Sequence, residues 1–431
     1  MRNFYQVLIN TLVANVTTSY LWFALTFWVY LETKSVLATG IIGGSYMLLV
    51  ALCSIWFGTV VDRHKKRSVM IFASAFTLAL FLAAAAFYAL LSDATLLQLN
   101  QPWFWLFTAI ILIGAVVENM RNIALSTIVT LLVKKEKRAN ANGLVGTVQG
   151  LGFIVTSVFS GLSIGLLGMG WTLAIACVLT AAVFVHMLFV KIPEKGVAHD
   201  PELENKKVDI KGSIAAITVV PGLFGLLFFS MLNNFIGGSY MALMDPYGLT
   251  LFSVEMWGIL FGVAGTGFVI GGLLIAKFGL GKKPIKTLLL AAVVMGLLGA
   301  FFTIREWWWL YAIGIWLYMV LIPVIESAEQ TVIQRVVPYE RQGRVFGFAQ
   351  ALESSAAPIT AFIVAPIAEF IVIPYMNSDA GKMQYGWLLG EGEARGIAFI
   401  FLISGLLLVV AALLAFTTKT YRQISAFYTK S

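Results

Sequence analysis

The sequence predicts an all-α integral membrane protein with twelve transmembrane helices in two pseudo-symmetric six-helix bundles. The first observation is composition: the 431 residues are 60% hydrophobic and 12% charged, whereas soluble domains average about 45–50% apolar and about 25% charged residues. The second is a recurrence of apolar runs of about 20 residues, long enough to cross a hydrocarbon core of about 30 Å. The third is that one short basic loop occurs twice.

Each apolar run is interpreted as one membrane-spanning helix. Glycine and proline inside several runs are compatible with this, because neighbouring helices satisfy the backbone groups that these residues free. The twelve spans are expected near residues 8–30, 40–61, 68–91, 103–132, 141–167, 171–190, 214–243, 255–276, 287–304, 307–333, 345–373 and 396–417.

A single long polar stretch, residues 192–213, separates the sixth and seventh spans. We interpret it as a cytoplasmic linker, with a regulatory or partner-binding loop as the alternative. The predicted domains are therefore an N-terminal six-helix bundle over 1–191, the linker over 192–213 and a C-terminal six-helix bundle over 214–431.

The internal repeat rests on two pairs of matching loops. Residues 58–67 and 277–286 are basic loops that follow Gly-rich apolar runs, and residues 133–140 and 337–344 end the fourth and tenth spans. Because the pairs match in position as well as residue class, we expect parallel repeats about an axis along the membrane normal. Most duplicated membrane proteins of this size are transporters.

Lysine and arginine predict the orientation. If both termini are cytoplasmic, the cytoplasmic segments hold 24 of the 29 basic residues and the outer segments hold 4, which is a strong positive-inside bias. An even number of spans agrees with this. The net charge of +8 is expected to face anionic lipid headgroups rather than nucleic acid. Cys53 and Cys177 both lie in apolar runs, so neither a disulfide framework nor a metal cluster is expected.

Five residues of the first basic loop carry a family resemblance. Gly58, Asp62, Arg63, Lys66 and Arg67 resemble the cytoplasmic loop signature of the major facilitator superfamily. Asp62 is a carboxylate of the kind that the N-terminus of a helix favours.

Three longer stretches narrow the resemblance. Residues 60–67, 271–274 and 334–346 are similar to macrolide-efflux-type members of the drug:proton antiporter group. The resemblance implies the major facilitator fold and a secondary active transporter that exports lipophilic, cationic or neutral compounds in exchange for protons by alternating access. It also implies a multi-pass protein of the cell inner (plasma) membrane that needs no cofactor, and we expect a monomer. Its partners would be a small-molecule substrate, protons and anionic membrane lipid.

The same resemblance implies a conformational latch. Asp62 would hold the outward-facing state by pairing with the start of the eleventh span near Arg344, assisted by the basic residues of its loop. The alternative is that this loop only fixes the topology.

Polar residues inside the spans are the candidates for cargo binding and coupling, because burying a charge in a membrane costs at least a few kcal/mol. The resemblance implies that spans one, four, seven and ten line the transport cavity, and the polar residues concentrate there. The candidates are Asn15, Thr18, Glu118, Asn119, Arg121, Asn122, Asn233, Asn234, Glu326, Glu329, Gln330 and Glu353.

Glu118 is the preferred proton-carrying carboxyl. On a helix it lies one turn from Arg121 and shares a face with Asn122, and it is close to the expected membrane midplane. The alternative is a self-satisfied Glu118–Arg121 ion pair that only orders the helix. Glu326 is the main rival carboxyl. For Glu326, Glu329 and Glu353 together, the alternative is a cytoplasmic gate or a packing network.

Other function classes lack the residues they need. His64, His186 and His199 are scattered over a loop, a span and the linker, so they form no catalytic or metal-binding set,. No Gly-Lys-Ser/Thr phosphate loop supports ATP-driven pumping. An enzyme is therefore not expected, and a channel would not need two matched loops. Within transport, the alternative is a dedicated exporter of a metabolite, siderophore or lipid.

Overall fold

The computed structural model describes residues 2–33, 36–91, 93–194, 210–390, 392 and 394–430, and over these residues the chain is helical, without strands. The first eight helices along the described chain are α1 Arg2–Thr33, α2 Val36–Arg63, α3 Lys66–Leu90, α4 Asp93–Leu96, α5 Pro102–Leu132, α6 Arg138–Phe189, α7 Ile210–Thr218 and α8 Leu223–Leu251. The remaining eight are α9 Val254–Phe278, α10 Pro284–Phe301, α11 Trp308–Val336, α12 Gln342–Ile367, α13 Ile373–Asn377, α14 Asp379–Leu389, α15 Arg395–Thr417 and α16 Lys419–Lys430.

Within the described residues, eleven helical segments are long and apolar enough to cross a membrane, whereas twelve spans were predicted. The difference lies in α6, which runs through the predicted fifth and sixth spans over 52 residues. At 1.5 Å per residue, such a helix is far longer than one crossing requires. Gly168 interrupts it with φ 78° and ψ 177°, a conformation that glycine adopts readily because it lacks Cβ. The predicted break therefore exists as a kink without an intervening loop.

The seventh predicted span, 214–243, begins too early. The structure ends α7 at Thr218 and starts α8 at Leu223. Between them Pro221 lacks an N–H to continue a helix, and Gly222 has φ 82°. The predicted span includes this break because hydropathy alone does not show where a helix is interrupted.

By internal packing the chain forms two compact units, and the boundaries between them fall inside helices. The first unit comprises Met1–Arg138, Leu151–Ala216 and Val337–Ala351, and the second comprises Ala139–Gly150, Ile217–Val336 and Leu352–Ser431. The starts of α6 and α12 are thus each grouped with the opposite half of the sequence. The predicted domain boundaries describe the halves of the sequence and stay a prediction. Residues 195–209 of the predicted linker lie outside the described residues.

A close glycine contact of the same kind occurs in each unit. In the first unit, Gly58 of α2 packs directly against Gly347 of α12. In the second, Gly272 of α9 packs against Gly143 of α6 in the same manner. A Cβ atom at any of these four positions would collide with backbone atoms of the facing helix. Close backbone approach at small residues is the usual means of helix association in membranes.

Candidate functional site

The first candidate region is the junction of α2 with the start of α12, a part of that helix that belongs to the first unit. Asp62, on the last turn of α2, is fully buried. Its Oδ1 accepts a hydrogen bond of 2.6 Å from the backbone N–H of Gly343, and its Oδ2 accepts one of 2.9 Å from that of Arg344. Because α12 begins at Gln342, the carboxylate caps two of the first free N–H groups of that helix.

Arg344 adds an ion pair to this cap. Its Nε lies 3.5 Å from Asp62 Oδ2, and both side chains are buried. The glycine contact between Gly58 and Gly347 holds the two backbones close enough for the cap to form. The carboxylate therefore meets a helix dipole, two N–H donors and a guanidinium at once.

The basic residues of the loop make different contacts. Lys66 is buried, with its Nζ 3.8 Å from Glu194 Oε1 and 4.7 Å above the Tyr339 ring. The Tyr339 hydroxyl donates to the same Glu194 oxygen at 3.1 Å. Arg67 donates to the Leu188 carbonyl at 2.6 Å. Lys66 and Arg67 therefore contact the end of α6 and the segment after it.

Arg63, the remaining loop residue, is half-buried at the end of α2. Glu194 and Tyr339 are partners that sequence reasoning missed. Glu194 lies in the polar segment interpreted as linker, and no spacing rule connects it with a loop far upstream.

A second candidate region surrounds Glu118 and Arg121 of α5. Both are buried, and Arg121 Nε donates to Glu118 Oε1. The other guanidinium nitrogens donate to the Asn10 side chain, the Met70 carbonyl and the Ser74 hydroxyl.

The second Glu118 oxygen also has a partner, since Thr77 lies 3.4 Å from Oε2. Asn10 in turn donates to the Val183 carbonyl at 2.9 Å and lies 3.0 Å from His186 Nδ1. The pair is thus neutral and embedded among α1, α3, α5 and α6. Such a saturated network is what a structural ion pair requires in a low-dielectric interior.

The asparagines of α5 face other partners than Glu118 does. Asn15 donates to Asn122 Oδ1 at 2.9 Å, joining α1 to α5. Asn119 donates to the Tyr46 hydroxyl at 3.1 Å and accepts from Gln350 at 3.4 Å. These side chains are half-buried and form a polar surface separate from the ion pair.

A third candidate region is a group of three glutamates in the second unit, which we call the carboxyl cluster: Glu326 and Glu329 of α11 and Glu353 of α12. The carboxyls of Glu329 and Glu353 lie close enough to interact electrostatically, and Glu326 interacts with both. Glu329 is 6% exposed, whereas Glu326 and Glu353 keep part of their surface accessible. None of the ion pairs among the described residues involves these three carboxyls.

Two polar atoms beside the carboxyl cluster have unused hydrogen-bonding capacity. The buried Ser230 hydroxyl of α8 stands near the Glu329 carboxyl without completing a hydrogen bond. Glu329 Oε1 is likewise buried without a hydrogen-bond partner. A buried polar atom without a partner is costly unless a ligand, a water or a proton is to be accommodated there.

The other predicted cavity residues are less informative. Asn233 is buried with a free Oδ1, and Asn234 donates to the Ser230 carbonyl of its own helix at 3.0 Å. Thr18 donates to the Ala14 carbonyl of its own helix. Gln330 is half-buried on α11. Within the described residues, no group of histidine, cysteine and acidic side chains has the arrangement of a metal site.

Comparisons with known proteins agree with this architecture. Residues 7–361 match the family model of the Major Facilitator Superfamily. Macrolide efflux protein A of Streptococcus pyogenes is 23% identical over 390 residues, which cover 88% of this chain and 93% of the relative. The Enterococcus faecalis protein of that name is 25% identical over 312 residues, 70% of this chain and 92% of the relative.

Solved structures show the same fold. A bacterial homologue of the iron transporter ferroportin in the outward-facing state has a TM-score of 0.69 at 15% identity, covering 97% of this chain and 100% of that one. The proton:xylose symporter XylE has a TM-score of 0.67 at 13% identity and 99% coverage of both chains. The predicted all-helical fold and family resemblance are confirmed. The family model matches well over half of this multi-pass membrane chain. The chain is therefore a transporter, not an enzyme, and belongs to the Major Facilitator Superfamily.

Proposed function

We propose that the protein exports a lipophilic cationic or neutral compound in exchange for protons. The carboxyl cluster carries this proposal. Ionised carboxylates only accept hydrogen bonds, so Glu329 and Glu353 can bind each other directly only when one of them carries a proton. Three negative charges without a basic counterion are strongly disfavoured inside a membrane protein. We therefore expect the carboxyl cluster to bind protons and to release them when a cation or water replaces them.

The Glu118–Arg121 pair serves the same proposal less well. A proton on Glu118 would leave the Arg121 guanidinium buried without its counterion, and that state is costly. The hydrogen bonds around Arg121 hold its guanidinium in place beside Glu118. We therefore assign proton coupling to Glu329 and Glu353, with Glu326 tuning them, and a structural role to the pair on α5.

Alternating access supplies the rest of the mechanism. Deprotonation would leave a net negative cluster that attracts a cationic cargo, and reprotonation would release that cargo. The contact of Asp62 with the start of α12 acts as the latch of one state. The similarity to macrolide efflux proteins supports the outward direction that we propose. The basic asymmetry supports a topology with both termini in the cytoplasm.

Transport into liposomes tests the proposal. Purified protein is reconstituted, a pH gradient is imposed without ATP, and accumulation of a tritiated macrolide or a lipophilic cationic dye is measured. We expect gradient-driven accumulation by the wild type and a loss of at least about tenfold for Glu353→Gln. Glu340→Gln, which removes an exposed carboxyl, is the matched control and should transport normally. Gradient-driven transport of both probes at wild-type rates by Glu353→Gln would refute the assignment.

A further inference from the structure

A cavity of about 320 Å³ lies between the loop that joins α9 to α10 and the C-terminal helix α16, entirely within the second unit. We call it the basic cavity. Three cations line it: Lys282 and Lys283 from the loop, and Arg422 from α16. No carboxylate belongs to its lining. Basic residues from two segments that are distant in the sequence thus converge on one concave surface. Basic residues that serve only to keep a surface solvated would not need to converge in this way.

The remaining lining completes an anion site. Pro284 and Ile285 open α10 at the wall of the cavity, and the first turn of this helix has no side-chain cap. Its backbone N–H groups and its dipole therefore favour a negative ligand. Ser425 and Thr429 of α16 also line the cavity and supply hydroxyl groups.

A fourth cation stands behind the wall. The guanidinium of Arg335 lies 4.4 Å from the centre of the Tyr428 ring, and its Nε is buried without a hydrogen-bond partner. Tyr428 itself is buried and lines the cavity. The field inside the basic cavity is therefore more positive than its three lining cations alone would produce.

The cavity is preformed because α16 is firmly docked. Ile424 is buried, and together with Thr420 it packs against Gly222 and Gly225 at the start of α8. A Cβ atom at either glycine would collide with α16. Little ordering cost therefore opposes binding, which favours a specific site over a diffuse surface.

We infer that the basic cavity binds the phosphate group of an anionic phospholipid. Phosphate esters match clustered lysine and arginine donors beside a helix N-terminus. A lipid is favoured over a soluble phosphate ester because the cavity lies where two apolar spans end, α10 at Pro284 and α15 at Thr417. That is the level of the headgroups, and Ile285 and Ala426 offer apolar surface beside the cations. This inference does not depend on the proposed cargo or on proton coupling.

Lipid binding to the full-length protein tests the inference. The protein is held in nanodiscs of phosphatidylcholine, and retention of added phosphatidylglycerol is measured by native mass spectrometry after mild release. The test variant replaces Lys282, Lys283 and Arg422 by glutamine. The matched control replaces Lys277, at the end of α9, and Lys419 and Lys430 of α16 by glutamine; all three lie outside the cavity lining.

We expect the test variant to bind phosphatidylglycerol at least about tenfold more weakly and the control to stay within about twofold of the wild type. Equal thermal unfolding of the three proteins in phosphatidylcholine alone checks that the variants are folded. Equal losses in both triple variants would show diffuse electrostatic attraction and overturn the site. Retained binding by the test variant would overturn it as well.

Two further arms separate the possible sources of phosphate. Inorganic phosphate and glycerol phosphate are added alone, and protection against thermal unfolding is measured. We expect weak protection by these ions and strong protection by phosphatidylglycerol. Strong protection by a soluble phosphate that phosphatidylglycerol does not reproduce would mean that the cavity serves a soluble ligand, and the lipid assignment would fall.

Discussion

Replacing Asp62 by asparagine removes charge from the α2–α12 junction while it preserves size. The asparagine oxygen still accepts one of the two backbone N–H bonds of 2.6 and 2.9 Å, but its amide group faces the other as a second donor. The ion pair to Arg344 is lost as well. A hydrogen bond to a charged group contributes about 1.5–3 kcal/mol.

The magnitude follows from these contacts. Losing one charged hydrogen bond and weakening the other should destabilise the junction by about 2–3 kcal/mol, and every 1.4 kcal/mol is tenfold in an equilibrium constant. The ratio of closed to open junction should fall roughly 30- to 150-fold. Transport should therefore decrease more than cargo binding, because binding does not require the junction itself.

Electron paramagnetic resonance distances measure this population directly. Spin labels at Lys65 and Glu340, both exposed, report the separation of the α2–α3 loop from the segment before α12 after Cys53 and Cys177 are replaced. Asp62→Asn should move the distribution from short to long distances. Arg67→Gln is the control, because Arg67 bonds the Leu188 carbonyl instead of α12. An unchanged distribution with normal transport would show that Asp62 only fixes topology.

Three further predictions concern the helix contact, the α5 ion pair and the topology. Gly58→Leu should block the close approach of α2 and α12 and lower transport at least about tenfold with cargo binding retained, measured by uptake and equilibrium binding. Glu118→Gln should leave the buried Arg121 without its counterion and destabilise the protein by about 3–5 kcal/mol in thermal unfolding. Transport should still respond to a pH gradient. Intact stability with lost coupling would identify Glu118 as the proton carrier. A cysteine at Lys65 should react only from the cytoplasm and one at Asp379 only from outside, and the opposite labelling would invert the topology.

Much of the fold was predictable because the hydropathy of each span is a local property of the sequence. Helical segments occur at all the predicted spans, although α6 covers the fifth and sixth together and α8 begins later than the seventh. The twelve-span pattern did not reveal that α6 continues through Gly168, because a kink and a loop share the same glycine-containing sequence. The late start of α8 at Leu223 depends on Pro221 and Gly222, and these two residues were present in the sequence as a signal.

The candidate site was less predictable, because its partners are far apart in the chain. Helical spacing predicted the Glu118–Arg121 pair correctly, since both residues lie on one helix. It gave no indication that Asn10 and Ser74 would saturate the guanidinium, because those contacts depend on how α1 and α3 pack against α5. For the same reason the proximity of Glu329 to Glu353 could not be derived from sequence alone.

Glu329 and Glu353 are the residues that we propose to carry the protons exchanged for cargo. Proton release from purified protein tests this role most directly: a lipophilic cationic dye is added to wild-type protein in weakly buffered detergent solution, and a pH indicator reports the protons released. We expect release of roughly one proton per protein molecule at saturating dye, preserved in Glu118→Gln and abolished in the double variant Glu329→Gln/Glu353→Gln, which should bind the dye more weakly. Undiminished release from the double variant, or loss of release in a folded Glu118→Gln variant, would refute the role proposed for Glu329 and Glu353.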